Sequence, residues 1–163
     1  NGAIKSSTLP VAIHISTKKQ SALNKPTSAK IRVLNGEAEK SEYVIRAEDG
    51  KIYIGREKNI QASDGFYREN FIAFPGDSQN PSNKYISRSH AHIEWNNEEA
   101  AFYLFPDEGG IPPRNKIKVR LANGSLVKLQ ATQIGHQLKN GDQIIIGESA
   151  LLDFCYLQPG ENK

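Results

Sequence analysis

A chain of 163 residues, 37% apolar and 24% charged with both signs interspersed, can bury the core of one ordinary domain and does not have the composition of a disordered tail. Its net charge of +3 is too mild to mark a nucleic-acid-coating protein, and no run approaches the ~18 apolar residues of a membrane-spanning helix. The single cysteine, Cys155, excludes a disulfide or a four-cysteine zinc site within the chain and suits a reducing, cytoplasmic location, while the absence of methionine and of a signal peptide at Asn1-Gly2-Ala3 suggests a piece of a longer polypeptide.

Along the chain, apolar residues recur with period two in short bursts. Val11–Ile15 alternates first and could add an edge strand. The polar stretch Lys18–Ala29, with Pro26 near its end, reads as a linker, so that residues 1–29 form an N-terminal extension. Strands are then expected at Lys30–Leu34, Tyr43–Arg46 and Lys51–Ile54, with a possible short one at Phe71–Phe74 between loops Ser63–Asn70 and Pro75–Asn83. Further strands follow at His90–Trp95, Ala101–Phe105, Lys116–Leu121, Leu126–Leu129, Gln143–Ile146 and Leu151–Leu157. Between Ala101–Phe105 and Lys116–Leu121 lies Asp107–Asn115, whose Gly109-Gly110 and Pro112-Pro113 cannot join a central ladder. Turn signals punctuate the bursts at Asn35-Gly36, Asp49-Gly50, Asn123-Gly124 and Asn140-Gly141-Asp142. The pattern is all-β, a sandwich or barrel over residues 30–158 with a tail at 159–163.

Four features stand in fixed order at strand ends. Ile52-Tyr53-Ile54 runs into Gly55-Arg56. A second segment reads Tyr85-Ile86-Ser87-Arg88-Ser89-His90-Ala91-His92-Ile93. Asn115 follows in the loop after Ala101–Phe105, and Leu138-Lys139-Asn140-Gly141-Asp142-Gln143-Ile144-Ile145-Ile146-Gly147 comes last. Gly-Arg alone carries no information and Gly-Asp-x-Ile little; Ser-Arg-x-His-Ala between them makes the set specific.

This order resembles the forkhead-associated (FHA) domain family, over about residues 30–157. The resemblance implies a β-sandwich of about eleven strands with its binding loops at one end, and a non-enzymatic module that recognises threonine-phosphorylated partner proteins without a cofactor. It implies that Arg56 and Ser87 are phosphate ligands, that Arg88 is an accessory contact, and that Asn115 holds the peptide backbone. Gly55 and His90 would be structural, His90 bracing the Ser87 loop. The family's Asn-Gly-Thr stands here as Asn115-Lys116-Ile117, so Lys116 could add a phosphate donor or face solvent. The segments 57–70 and 75–86 also make the Arg56-to-Ser87 separation longer than is usual in the family.

The chemistry is intelligible from the residues themselves. A phosphothreonine carries nearly two negative charges and strong acceptor oxygens. A guanidinium fork such as Arg56 can meet it with paired hydrogen bonds, and Ser87 can offer its hydroxyl and backbone N–H. An amide such as Asn115 both donates and accepts, as a clamp on a peptide main chain requires.

Other chemistries fit less well. His90 and His92 stand two apart, but no carboxylate or cysteine at suitable spacing completes a metal site. There is no Gly-x-Ser-x-Gly elbow for a hydrolase built on Ser87, and nothing near Cys155 suggests an activated thiolate. The alternative of a different class is a phosphate-independent assembly or structural domain with a degenerate pocket, which the Lys116 substitution and the long loops favour.

Overall fold

Alternating sequences place every second side chain on one face of a strand, and in the computed structural model of the protein these apolar faces meet. The structure describes residues 25–61, 65–112 and 117–159. Among them the strands are β1 (Ser28–Asn35), β2 (Glu42–Arg46), β3 (Ile52–Arg56), β4 (Asn59–Gln61), β5 (Tyr67–Glu69), β6 (Ile72–Phe74), β7 (Ala91–Asn96), β8 (Ala101–Pro106), β9 (Ile117–Arg120), β10 (Leu126–Leu129), β11 (His136–Gln137), β12 (Gln143–Ile146) and β13 (Ala150–Leu157). One sheet has six strands in the order β10-β9-β12-β13-β1-β2, and the other has five in the order β11-β8-β7-β3-β6. These two sheets form the expected all-β sandwich. The strands β4 and β5 pair with each other as a separate ribbon.

The core lies between the sheets. Ile31, Ile45, Ile144, Leu152 and Phe154 from the first sheet and Ile54, Ile93, Phe102 and Leu104 from the second are all fully buried. Each such side chain contributes roughly 1.5–3 kcal/mol by leaving water. The rings of Phe102 and Phe154 meet edge-on with centroids 6.3 Å apart, so an aromatic contact spans the two layers. Tyr156 adds a polar tie: its hydroxyl accepts from Phe102 N–H at 2.9 Å and donates to Leu138 O at 3.0 Å.

The structure departs from the sequence reading at β1, at β4 and β5, and at β11. Strand β1 begins at Ser28, inside the expected linker, because Ser28 and Ala29 pair with both β13 and β2. The segment expected as the loop Ser63–Asn70 contains β5, which pairs with β4 and turns Arg68 inward; a three-residue strand with a buried cation has no apolar period to reveal it. The two-residue β11 was equally invisible. Val11–Ile15 lies outside the described residues. No helix among the described residues is long and apolar enough to cross a membrane.

Strand direction gathers the loops that matter. β3 is antiparallel to β7 and β7 to β8, while β6 runs parallel to β3. The C-terminal ends of β3, β6 and β8 and the N-terminal end of β7 therefore share one end of this sheet. The segments after Arg56, after Phe74 and after Pro106 leave from that end, and the segment entering at Ala91 returns to it.

Candidate functional site

Gly55 lets two of these loops touch. It lies inside β3, where a Cβ would stand 2.1 Å from Arg88 O and 2.8 Å from Arg88 C. Only glycine lets the Ser87–Ser89 segment cross β3 so closely, so Gly55 serves a close backbone approach. Arg56 N–H then donates to Ser87 O at 2.9 Å, and His90 N–H to Ile54 O at 3.2 Å. These bonds bring Arg56 and Ser87 side by side at the backbone.

Their side chains address different loops. Arg56 lines a cavity of ≈ 300 Å³ together with Gly76, Ser78, Gln79, Asn80, Pro81, Asn83 and Lys84. Its Nε is buried and has no hydrogen-bond partner among the described residues. Ser87 Oγ instead donates to Gly109 O at 3.0 Å. Gly109 fits there because a Cβ would stand 2.3 Å from that of Ser87. Arg88 is exposed, and among the described residues neither Arg56 nor Arg88 makes an ion pair. Asn115 and Lys116 lie outside the described residues.

His90 braces the Ser87 loop. It is fully buried, and Ser87 N–H donates to its Nδ1 at 3.0 Å. The backbone nitrogen of Gly147 stands 3.3 Å from Nε2. A neutral imidazole has one acceptor nitrogen, so the shorter contact is the one it satisfies. Burial lowers the His90 pKa to about 4; Asp107 opposes this shift and Arg68 adds to it. The ring is therefore neutral near pH 7, as its acceptor role requires. His92 serves a separate purpose, with its Nδ1 2.9 Å from Asp107 Oδ1. Among the described residues no group of three His, Cys, Asp or Glu side chains could hold a metal.

The fourth motif supports the second. Gly147 has φ +62°, and a Cβ there would stand 3.0 Å from Tyr85 O, so the end of the Ile-Gly run sits directly beneath the Tyr85-Ile86 segment. Asp142 is buried and accepts from Lys139 N–H at 2.9 Å, closing the turn before β12. Asn140 Oδ1 accepts from Tyr156 N–H at 2.7 Å and fastens that turn to β13.

Sequence reasoning missed two residues here, Arg68 and Asn70. The Arg68 guanidinium is buried and donates to Asn70 Oδ1 at 2.8 Å, to Asp107 Oδ2 at 2.9 Å, and to Ile54 O and Ala91 O at 3.0 Å each. It also stacks over the Tyr53 ring, 4.4 Å from its centroid. Burial would raise the Asp107 carboxyl, but His92 and Arg68 together hold it below the usual value. Asn70 Nδ2 donates to Glu57 O at 2.8 Å and Arg88 O at 3.0 Å. Nothing in the local sequence signalled either role.

Comparison with known proteins agrees with this construction. The family model for the FHA domain matches residues 52–147. Among solved structures, the FHA domain of a hypothetical protein from Arabidopsis thaliana is similar at 15% identity, with 85% of this chain and 92% of that one covered and a TM-score of 0.55. The kinase-interacting FHA domain of the kinase associated protein phosphatase of Arabidopsis is similar at 16% identity, with 85% and 98% covered and a TM-score of 0.57. No curated protein matches. FHA domains are modules that generally mediate protein–protein interaction. With the family model spanning more than half of the chain and its motifs interlocked at one end of the sandwich, the chain belongs to the FHA domain family.

Proposed function

We propose that this domain recognises threonine-phosphorylated peptides and links proteins in response to phosphorylation, without catalysis of its own. The observation that carries the reading is the Arg56 Nε, a buried cationic donor with no partner among the described residues. Leaving such a donor unmade costs about 1–3 kcal/mol or more, which an incoming anion that accepts from it offsets. A phosphoryl group supplies several such acceptors at once. Lys84 on the rim of the same cavity and the exposed Arg88 on the adjoining segment add positive charge around it. In this reading Arg56, Ser87 and Arg88 contact the phosphate, Asn115 and Lys116 contact the peptide or its phosphate, and Gly55 and His90 hold the loops. The lone thiol of Cys155, which is exposed, supports a cytoplasmic setting.

The test is a degenerate phosphothreonine peptide library presented to the wild type and to Arg56→Ala. The wild type is expected to retain phosphorylated members, with retention falling as salt rises, and Arg56→Ala to lose at least about tenfold in affinity. Equal retention by both proteins overturns the reading. A second reading, phosphate-independent assembly, is favoured by one observation: the Ser87 hydroxyl already donates to Gly109 O in the protein's own loop. Retention of unphosphorylated partners independent of Arg56 would select it.

A further inference from the structure

The Asn70 side chain joins the two segments that carry the proposed phosphate ligands. It is fully buried and follows β5 in the segment leading to β6. Its Oδ1 accepts from Arg68 Nε at 2.8 Å, which fixes the amide's orientation. The two hydrogens of its Nδ2 are thereby turned to Glu57 O at 2.8 Å, just past Arg56, and to Arg88 O at 3.0 Å, just past Ser87. Arg56 O stands at the edge of the same reach, at 3.4 Å.

Arg68 carries the connection onward. Its Nη1 donates to Asp107 Oδ2, at the head of the loop whose Gly109 carbonyl accepts from Ser87 Oγ. Through Nη2 it also grips Ile54 O and Ala91 O, the residues where β3 and β7 pair. One polar chain, buried at Arg68 and Asn70 and running from Asp107 to Glu57 and Arg88, thus touches all three loops of the site. A fully satisfied buried network of this kind specifies one geometry, because any member moved leaves desolvated partners behind.

We propose that Asn70, seated by Arg68, is a positioning residue that holds the Arg56 and Ser87–Arg88 segments at the separation a phosphothreonine requires, so that the insertion carrying β4 and β5 sets the affinity of the site. This rests on the phosphothreonine reading above. Asn70 touches no ligand in this scheme and acts through the backbone of its neighbours. Removing the Nδ2 donor leaves these two segments tied, among the described residues, by the backbone bonds from Arg56 N–H to Ser87 O and from His90 N–H to Ile54 O.

The test uses Asn70→Ala, Asn70→Asp and, as a reference, Arg56→Ala. The probe is the pool of phosphothreonine peptides retained by the wild type, titrated well below each variant's melting temperature. Asn70→Ala is expected to weaken binding about tenfold, the equivalent of one lost interaction of ordinary strength. Asn70→Asp keeps the bond to Arg68 but sets a carboxylate oxygen against two carbonyls, and should weaken binding at least as much.

Amide hydrogen exchange separates positioning from general loosening and needs no ligand. In both Asn70 variants exchange at Arg56 N–H is expected to rise about tenfold, while Phe154 N–H, bonded to Asp142 O at 3.0 Å in the core, stays as in the wild type. Binding within twofold of the wild type by Asn70→Ala overturns the proposal, as does a parallel rise at Arg56 and Phe154. Should Asn70→Ala not fold, Asn70→Asp and Asp107→Asn carry the same exchange comparison. Indifference of binding to Arg56→Ala refutes the phosphothreonine reading instead, and the exchange result still decides whether Asn70 holds the loops.

Discussion

Acid should loosen this domain through His90. The ring is fully buried, and its pKa is lowered from 6.5 to about 4. A histidine depressed in the folded state binds fewer protons there than in the unfolded chain, so stability rises with pH across the window between the two values. It is fully present above about pH 6.5 and lost progressively as pH falls toward about 4. For a single site the linkage relation gives a loss of roughly 2 kcal/mol at pH 5 and about 3 kcal/mol below pH 4. The local reason is concrete: protonation places an N–H on Nδ1, where Ser87 N–H now donates at 3.0 Å. The assay is chemical denaturation from pH 7.5 to 4.5 of the wild type and of His90→Asn, whose amide oxygen can accept but does not titrate. The wild type should lose about 2 kcal/mol more than the variant on going to pH 5. A constant difference between the two across that range, or a His90 ring that titrates near pH 6.5 by NMR, refutes the reasoning.

Two further substitutions separate the site from the core. Gly55→Ala drives a Cβ to 2.1 Å from the Arg88 carbonyl oxygen, a backbone atom that cannot rotate away. It should cost about 1–3 kcal/mol in denaturation and abolish phosphopeptide binding in calorimetric titration, since the Ser87–Arg88 segment must lift off β3. Phe102→Ala empties the centre of the interlayer contact and should cost about 3–5 kcal/mol in the same denaturation assay. At temperatures where it remains folded, its phosphopeptide affinity should match that of the wild type, because Phe102 lies in the core and not among the site loops.

Apart from β11, the strands of the two sheets were legible because their alternation writes a period of two into the chain. Leu126–Leu129 and Gln143–Ile146 were read to the residue, and the expected turn glycines at 36, 50, 124 and 141 all adopt positive φ. What failed was short or polar. β4 has one apolar residue between two polar ones, β5 hides a buried arginine between two exposed residues, and β11 is two residues long. None offers enough apolar positions to show a period.

By itself the sequence determined the fold class and the order of the four strand-end motifs, Gly55-Arg56, Ser87-Arg88-Ser89-His90, Asn115 and the run ending at Gly147. Those choices are local: a glycine where another backbone must pass, a histidine beside the loop it braces, an alternation that selects a face. Only the tertiary structure decided how the motifs are held together. The Arg68–Asp107 bond joins residues 39 positions apart, and Asn70 reaches 13 positions back to Glu57 and 18 forward to Arg88. Tertiary structure also decided that Arg56 faces the 76–84 cavity while Ser87 turns to Gly109. A polar side chain is buried only where distant partners satisfy it, and those partners are chosen by strand pairing, which no single stretch of the chain contains.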